Sequence, residues 1–454
     1  MLGQRRESPM HLLRFWPPAV CALVTACAAA CAAHRFFSVP RQEYRDVRRR
    51  LEPVLLEPRG RPPVECLAAK WDLPTPIVLR SRVARWPSIG EMSNRFVLAG
   101  MNTQRFSDRL ADSGLILWES VGHEHGHELR GPPRRAGYVF PRVVLDGLGR
   151  THLFWAEADT TGDASVGDAI GHQESLWWSM RLDSGTWTKP ARLLKGLDVN
   201  WRSATLLRGN DLRSIVVAVT SRDSAEPPAL SYLHFNGAVW DRRRIPQSVG
   251  GLYPSVAQDS SGRLFVAFVA GAGGAGTHDA NSHDANSVFL IRSDDTGRTW
   301  REPILLSRSG SLQAYETSIV WTPQALHVVW AQDRTGSQTP DAVREIRSFD
   351  GGNHWTAPND LKAPAGFSRL RVAADRCGAI HVVFEDWGGR IPGHVDYAQL
   401  GATWSSVSHL FSEMPALDPT LMVDDGGALH LVFVVATTPG NVLRSMQSTM
   451  RVSP

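Results

Sequence analysis

The chain has 454 residues, of which 43% are hydrophobic and 21% are charged. These fractions are typical of a folded globular protein, and they exclude a disordered chain, a collagen and a polytopic membrane protein. Residues 1–70 hold 12 of the 49 Lys and Arg and 6 of the 45 Asp and Glu, which leaves 37 cations and 39 anions for the remainder. The main part of the chain is therefore nearly neutral. We expect no nucleic-acid partner, because such a partner requires a basic face on the folded domain.

The amino terminus has the pattern of an export signal. Three arginines within the first 14 residues precede an apolar run over 15–33, which is short and alanine-rich for a membrane span. The segment VTAC at 24–27 resembles the bacterial lipobox, so Cys27 is the predicted lipidation site and 1–33 the signal region. Cleavage without lipidation and an uncleaved anchor are the alternatives. We expect an exported protein, either a lipoprotein of the outer membrane or cell surface, or a periplasmic or secreted protein.

Residues 34–70 are rich in Arg and Pro and predict a tether to a domain that begins at residue 71. The cysteines stand at 21, 27, 31, 66 and 377, and lipidation at Cys27 leaves too few of them for a disulfide scaffold. A Cys66–Cys377 bridge in an oxidising compartment is one interpretation, and two unrelated thiols is the one that we favour. No cysteine pair has the spacing of metal ligands, and we predict neither a metal nor a cofactor.

A repeat of roughly 55 residues runs through the rest of the chain. Each unit opens with two runs rich in Val, Leu and aromatic residues around a Gly/Asp turn, which is a hairpin signal. The seven hairpins begin at Arg85, Phe140, Trp201, Tyr253, Tyr315, Leu370 and Asp418. A third short strand, a turn that leads to a Trp, and a fourth strand follow most hairpins; the Trp residues are at 187, 240, 300, 355 and 404.

Four short strands in each unit predict an all-β fold, a β-propeller. Seven blades are favoured, and six is the alternative if the weak first unit is not a blade. The last blade lacks a fourth strand after its third. Residues 71–80 resemble a fourth strand and are predicted to complete the last blade, which removes an exposed edge.

Two turns between third and fourth strands carry the pattern S-x-D-x-G-x-T-W, the second without its Thr. The matching residues are Ser293, Asp295, Gly297, Thr299 and Trp300, and then Ser348, Asp350, Gly352 and Trp355. The pattern resembles the Asp box of sialidases (neuraminidases) and other bacterial neuraminidase-repeat propellers, and the resemblance covers most of 71–454. In such a box the Asp accepts backbone N–H groups, the Gly supplies an unusual dihedral angle and the Trp packs between blades. The box therefore indicates the fold and leaves the activity open.

A histidine recurs at one position of the second strand in four units, at 152, 327, 381 and 430. A ring of metal ligands is one interpretation of this recurrence. A repeated packing or hydrogen-bonding role is the interpretation that we favour.

The resemblance implies a chemistry that can be sought in this chain. Sialidases clamp the carboxylate of their substrate with three arginines, attack with a Tyr activated by a Glu, and use an Asp as acid/base. The first arginine lies in an F/Y-R-I-P motif, and the segment ARWP at 84–87 keeps only the Arg and the Pro. The resemblance makes Arg85, Arg202 and Arg369 the clamp candidates, Asp108 or Asp112 the acid/base, and Tyr253 or Tyr315 the nucleophile, with Glu316 beside the latter.

First strands of propeller blades line a central funnel. Aligning the hairpins brings one position of each to the same funnel end: Trp86, Phe140, Arg202, Tyr253, Tyr315, Arg369 and Asp418, with Arg85, Arg142 and Glu316 as neighbours. Converging polar and aromatic groups of this kind suit a glycan or another polar ligand. Neighbouring residues on a strand point to opposite faces, so we do not expect Tyr315 and Glu316 to meet.

Two functions stay open at this point. One is an exported, lipid-anchored propeller that binds a glycan or protein partner through its funnel and loops, as a monomer that touches the membrane only by its anchor. The other is an exo-sialidase-type glycoside hydrolase. The incomplete first-blade motif and the position of Tyr315 before Arg369 favour the first.

Overall fold

The computed structural model describes residues 70–73, 75–77, 85–93, 95–102, 114–121, 126–133, 138–157, 175–195, 200–222, 228–271, 286–307, 312–375, 377–386, 393–411, 414–424, 427–437 and 441–449. Within these ranges every regular element is a β-strand, and no helix that could cross a membrane is found there. The predicted signal region, the lipidation site Cys27 and the tether up to residue 69 lie outside the described residues.

The first half of the described chain contains fourteen strands. They are β1 (Lys70–Trp71), β2 (Thr75–Pro76), β3 (Arg85–Met92), β4 (Arg95–Asn102), β5 (Gly114–Val121), β6 (His127–Glu128), β7 (Val139–Leu145), β8 (Thr151–Glu157), β9 (Ser175–Met180), β10 (Ala191–Lys195), β11 (Asn200–Arg208), β12 (Ile215–Ser221), β13 (Ala229–Phe235) and β14 (Trp240–Arg244).

The second half contains fifteen strands. They are β15 (Leu252–Gln258), β16 (Leu264–Ala270), β17 (Ser287–Ser293), β18 (Ile304–Leu305), β19 (Ala314–Trp321), β20 (Leu326–Gln332), β21 (Ala342–Ser348), β22 (Asn359–Lys362), β23 (Ser368–Ala374), β24 (Ile380–Asp386), β25 (His394–Leu400), β26 (Ser408–Phe411), β27 (Ala416–Val423), β28 (Leu429–Ala436) and β29 (Asn441–Thr449).

The strands form seven antiparallel sheets, and each sheet is one blade of a propeller. Blades one to six are the consecutive groups of four from β3–β6 to β23–β26, and blade seven is built on β27, β28 and β29. First strands of successive blades contact one another in the order β3, β7, β11, β15, β19, β23, β27 and back to β3, which describes a ring. The all-β class and the seven blades are thus confirmed, and the weak first unit is a full blade.

Strands β1 and β2 pair with β29 at the outer edge of blade seven, with Trp71 opposite Ser448 and Pro76 opposite Arg444. The ring of Trp71 meets that of Tyr397 in blade six edge-on, with centroids 5.3 Å apart. Since 74 and 78–80 lie outside the described residues, a single closing strand over 71–80 stays a prediction.

The second strand of each blade shows why the sequence folds in this way. Strand β16 reads LFVAFVA and is buried at every residue, because blades pack against it from both sides. A continuous apolar run bounded by turns is the pattern of such a strand. The outer strand β14 reads WDRRR and is largely exposed, so its charged side chains protect the edge. One apolar cluster joins Phe265 of blade four to Trp330 of blade five, so the core lies between the blades.

Successive connections in an antiparallel blade alternate between its two ends. The turns between first and second strands, and between third and fourth, therefore share one side of the ring, which we name the turn face. The loops between second and third strands and the links between blades share the opposite side, which we name the loop face. Each first strand begins at the loop face and ends at the turn face.

The recurrent histidines are held by hydrogen bonds near the turn face. The Nε2 atom of His381 lies 3.0 Å from Asp375 Oδ2, and that of His430 lies 2.7 Å from Asp424 Oδ2. These Asp residues stand in the turn six positions before the His, and the same pair recurs in blade two. His327 uses its Nδ1 atom instead, 2.7 Å from Glu345 Oε1. The predicted hydrogen-bonding role of these histidines is confirmed.

The two turns predicted as Asp boxes share one hydrogen-bond network. In the first, Ser293 donates to Asp295 at 2.8 Å, and Asp295 accepts the backbone N–H of Thr299 at 2.8 Å. Gly297 has a φ of 85° and a Cβ there would lie 2.3 Å from the Tyr232 ring of blade three, so glycine is required. Trp300 meets the same Tyr232 ring edge-on at 5.6 Å, which is the predicted packing between blades.

The second turn repeats these contacts. Ser348 donates to Asp350 at 2.8 Å, and the backbone N–H of Gly352 donates to Ser348 Oγ at 2.8 Å. His354 replaces the missing Thr and donates its backbone N–H to Asp350 at 3.0 Å. Both turns lie at the turn face, away from the predicted site at the loop-face end of the funnel. They join the third and fourth strands of their blades. The assignment of these turns to the sialidase family stays a prediction.

Candidate functional site

The first strands are bulged where they enter the funnel from the loop face. In blade four, Leu252 pairs with Val269 and Ser255 with Ala267, so two residues of β15 oppose one of β16. Register shifts occur at the corresponding place in all seven first strands. Five bulged residues have φ between 48° and 57°: Trp86, Phe140, Tyr253, Arg369 and Asp418. A positive φ costs conformational energy in a residue with a bulky side chain. Because it recurs at the same position in five blades, it is a property of this fold and does not mark one residue as functional.

The alignment of the first strands is off by one residue in blade five. Tyr315 pairs with Ala331 and Thr317 with Trp330, which leaves Glu316 as the extra residue of β19. Glu316, and not Tyr315, therefore takes the bulge position. The segment lacks the proline that follows the bulged residue in four other blades, so nothing in the sequence fixed the register there.

Two of the predicted clamp arginines converge on a carboxylate of the chain itself. The Nε of Arg85 lies 2.7 Å from Asp418 Oδ2, and the Nε of Arg369 lies 2.9 Å from Asp418 Oδ1. The carboxylate also accepts the backbone N–H of Trp86 at 3.3 Å. Burial opposes the ionisation of Asp418, but Arg369 and Arg85 outweigh it and lower its pKa. The buried anion thus links blades six, seven and one.

A second carboxylate, Glu385, completes this cluster from the second strand of blade six. Its Oε2 atom lies 3.2 Å from Arg369 Nε and accepts the backbone N–H of Asp418 at 2.9 Å. Burial raises the pKa of Glu385 to about 7 against the opposing effect of Arg369, and Asp418 adds to the rise. The sequence search missed Glu385 because it covered first strands. An acidic residue within the apolar strand IHVVFED was the available signal.

Glu316 makes the equivalent link one blade earlier. Its Oε2 atom accepts the backbone N–H of Leu370, next to the bulge of blade six, at 2.7 Å. Carboxylates therefore bind bulge N–H groups across three consecutive interfaces, from blade five to six, six to seven, and seven to one. We name Glu316, Glu385 and Asp418 the carboxylate latches.

Tyr315 is poorly placed for nucleophilic attack. Burial, followed by Asp333 and Tyr253, raises the pKa of Tyr315 to about 12, so its phenol is neutral at pH 7. The Glu316 carboxylate is directed at blade six. Among the described residues no hydrogen bond joins it to the Tyr315 phenol, as the alternation of a strand predicts. A Tyr nucleophile needs a base hydrogen-bonded to its phenol, and no such bond to Tyr315 is found among the described residues.

A small cavity lies beside the latches at the ring centre. It has a volume of about 70 Å³, and Ser88, Arg142, Arg369, Arg371 and Asp418 are among its lining residues. Burial, and then Arg371, lowers the pKa of Arg142 to about 9. The guanidinium groups in this lining suit an anionic group. Drug-sized ligands fill pockets of about 300–1,000 Å³, so this cavity admits a functional group and not a whole sugar.

Three other predicted site residues have side chains that lie outside the described structure, so their roles stay predictions. Asp108 and Asp112 lie outside the described residues, and Arg202 is described only by its backbone in β11. No group of three or more His, Cys, Asp or Glu within the described ranges is arranged to hold a metal ion.

One expectation about the cysteines is wrong. Cys377, in the turn between β23 and β24, is disulfide-bonded, whereas we favoured unrelated thiols. All other cysteines precede residue 67 and lie outside the described residues. Two cysteines more than 300 residues apart gave no spacing pattern that could have shown this.

Comparison with known proteins gives the fold and little more. No protein-family model matches the sequence, and no curated protein matches it. A protein of unknown function from Dyadobacter fermentans is 14% identical, with a TM-score of 0.50 over 84% of this chain and 99% of that one. The phage phi92 endosialidase is 10% identical, with a TM-score of 0.46 over 85% of this chain and 69% of that one.

The Trypanosoma rangeli sialidase is 12% identical, with a TM-score of 0.40 over 87% of this chain and 59% of that one. At these identities the likeness to the Dyadobacter protein shows the propeller fold alone. What the funnel does must therefore be argued from its own residues.

Proposed function

We propose that this chain is an exported, lipid-anchored propeller that binds a glycan or protein ligand at the loop-face end of its funnel and does not hydrolyse it. The observation that carries the proposal is the Asp418 carboxylate between Arg85 and Arg369. In a sialidase-like clamp that position belongs to the carboxylate of the substrate. Here the chain supplies the anion itself.

Displacing Asp418 would be costly. Its side chain is only 2% exposed and holds both guanidinium groups and the Trp86 N–H. A substrate carboxylate that took these partners would leave a buried anion without compensation, which costs several kcal/mol. The arginine pair therefore stabilises the ring, and a ligand must bind to other groups at this end.

Arg142 and Arg371 are the groups that suit a ligand. They line the central cavity together with Arg369 and Asp418. A guanidinium group binds a carboxylate through parallel, charge-assisted hydrogen bonds, so an acidic group on the ligand suits this lining. We therefore favour an acidic glycan, or a protein that presents an acidic side chain, bound across the funnel mouth.

The disulfide at Cys377 supports the export part of the proposal. Stable disulfides form in oxidising compartments such as the periplasm and the cell exterior. The lipobox-like segment at 24–27 independently favours export. Incorporation of radiolabelled palmitate, and its loss in Cys27→Ala, tests the anchor.

Calorimetric titration tests ligand binding. Oligogalacturonate and alginate oligomers serve as acidic probes, and maltooligosaccharides serve as neutral controls. We expect the acidic probes alone to bind, and Arg371→Ala to weaken them at least tenfold. Arg242→Ala, on the exposed outer strand of blade three, is the matched control and should bind like the parent. Equal binding of acidic and neutral oligomers would contradict an acid-selective funnel.

One observation favours a second candidate, an exo-sialidase. Arg85 and Arg369 do converge within the width of one carboxylate, as two members of a clamp must. If hydrolysis occurs through a Tyr nucleophile, 2,3-difluorosialic acid should form a covalent adduct with the protein. Mass spectrometry of peptic peptides would then place the added mass on Tyr253 or Tyr315. An unmodified protein after long incubation counts against this candidate.

A further inference from the structure

Exposed apolar side chains are concentrated on one side of three neighbouring blades. Seven large hydrophobic residues of the described chain are exposed, and five of them belong to connections at the turn face of blades one to three. They are Val121, Leu148, Leu182, Leu212 and Val239, with exposures between 40% and 61%. We name these five the apolar turn surface.

Blades that carry this surface touch one another near its residues. A Cβ on Gly147, beside Leu148, would lie 2.6 Å from the Cα of Leu212, so the first turns of blades two and three touch. The residue before Leu182, Arg181, reaches Glu119 of blade one at 3.2 Å. Isolated apolar residues on a surface need no explanation, whereas a group of them at adjacent turn tips marks an interaction site.

The chain enters the propeller at the same face. Strand β29 runs toward the turn face, and Lys70 pairs with Thr449 at its end, so the residues before Lys70 join the ring there. Blade seven, which receives them, is next to blade one. Cys377 also stands in a turn of this face. A lipid anchor ahead of Lys70 would therefore reach the ring at its turn face.

The sequence before Lys70 fits an anionic surface. Residues 34–70 hold 9 Lys and Arg against 5 Asp and Glu. A basic segment next to a membrane attachment is attracted to anionic headgroups, and apolar side chains at turn tips insert at the boundary between headgroups and acyl chains.

We propose that the apolar turn surface docks on the lipid bilayer. It holds the propeller with its turn face on the membrane and the arginine-lined cavity at the loop face directed away from it. The inference rests on the proposed lipid anchor and adds a second, protein-borne contact and a fixed orientation. A ligand would then approach from the side opposite the membrane.

The full-length protein in vesicles of phosphatidylethanolamine and phosphatidylglycerol tests this orientation. A polarity-sensitive fluorophore is attached through Leu212→Cys on the apolar turn surface, and through Met414→Cys as the matched control. Met414 is 38% exposed and lies in a link between blades at the loop face. The labelled parent gives the background from native thiols.

We expect the Leu212 label to shift to shorter wavelength on vesicle attachment and to be quenched by doxyl-labelled lipid, with the Met414 label unchanged. The same measurement at Leu182→Cys provides a second position on the surface. Equal responses at both faces, or a Leu212 label that stays in water, would overturn the proposal. A Leu212 shift without vesicles that grows with protein concentration would identify a second copy as the occupant and overturn it too.

Co-flotation with the vesicles separates the possible failures. Protein that floats but keeps a water-exposed Leu212 label retains its anchor and lacks the docking contact. Protein that does not float has neither the lipid anchor nor the docking contact. The titration with acidic oligomers is independent of both results, because it reports the opposite face.

Discussion

The blades are linked by different chemical groups in two parts of the ring, which we call the neutral side and the charged side. Between blades one and two, and between four and five, a serine hydroxyl accepts a backbone N–H: Ser88 from Val143 at 3.2 Å, and Ser255 from Ile319 at 3.0 Å. From blade five around to blade one, the carboxylate latches accept the N–H groups instead. The neutral side is the part that the serines link, and it resembles an ordinary β-core. The charged side is the part that the latches link, and it includes the interface of blades seven and one, where the two ends of the ring meet.

The difference shows that an arginine pair in a propeller funnel can have a structural role. Arg85 and Arg369 are far apart in sequence and meet at the closure of the ring. A buried carboxylate between them fixes their geometry. An arginine pair that would indicate substrate binding elsewhere has a structural partner here.

The largest effect is expected from removing the central anion. Asp418→Asn keeps the shape of the side chain but leaves Arg85 and Arg369 facing each other in a buried site. Breaking a buried ion pair costs about 3–5 kcal/mol, which urea unfolding followed by circular dichroism can measure. The matched control is Asp241→Asn on the outer strand β14, whose pair with Arg243 is solvent-exposed and contributes at most about 1 kcal/mol. Equal losses in the two variants would show that the latch has no special role.

Glu385 gives its link between blades a pH dependence that a link through a serine hydroxyl lacks. Its pKa rises from 4.5 to about 7 on folding, so between these values the folded state holds a proton that the unfolded state has released. Stability should therefore fall as the pH rises through this window, by on the order of 3 kcal/mol. Glu385→Gln should remove that slope in unfolding measurements between pH 5 and pH 8. A variant with the parental slope would assign the titration to another group.

A smaller difference should separate a charged link from a neutral one. Glu316→Ala removes a charged acceptor from the Leu370 N–H and should cost about 2 kcal/mol, whereas Ser255→Ala removes a hydroxyl from the Ile319 N–H and should cost about 1 kcal/mol. Chemical unfolding of the two variants side by side gives both values. A larger loss of stability in Ser255→Ala than in Glu316→Ala would mean that water replaces the missing carboxylate as the acceptor of the Leu370 N–H.

The smallest effect is expected at Tyr315. Its phenol is neutral at pH 7 and makes no described hydrogen bond, so Tyr315→Phe should change the free energy of unfolding by less than about 0.5 kcal/mol. Binding of acidic oligomers should also stay at the parental value. A large loss of binding or of any turnover in this variant would return Tyr315 to the active-site candidates.

The fold was predictable because its signals repeat. Alternation of buried strands with Gly/Asp turns recurs in every blade, and the Trp at 240 and 300 pack between blades as expected. The site was predictable only in part. Arg85, Arg369 and Asp418 share an aligned position or its neighbour, but pairing between blades depends on side-chain direction, which sequence does not contain. Glu385 comes from another strand, and Glu316 was displaced by one residue where no proline marks the bulge.

Hydrolysis of a fluorogenic sialoside tests the central claim most directly, because the claim is that the arginine pair is occupied by Asp418. The purified protein, Arg369→Ala and a buffer blank are compared from pH 4 to pH 8, with circular dichroism to confirm folding. We predict release of the fluorophore at the rate of the blank in all samples. Turnover by the parent that Arg369→Ala abolishes while remaining folded would contradict the account, since it would require a substrate carboxylate where Asp418 lies.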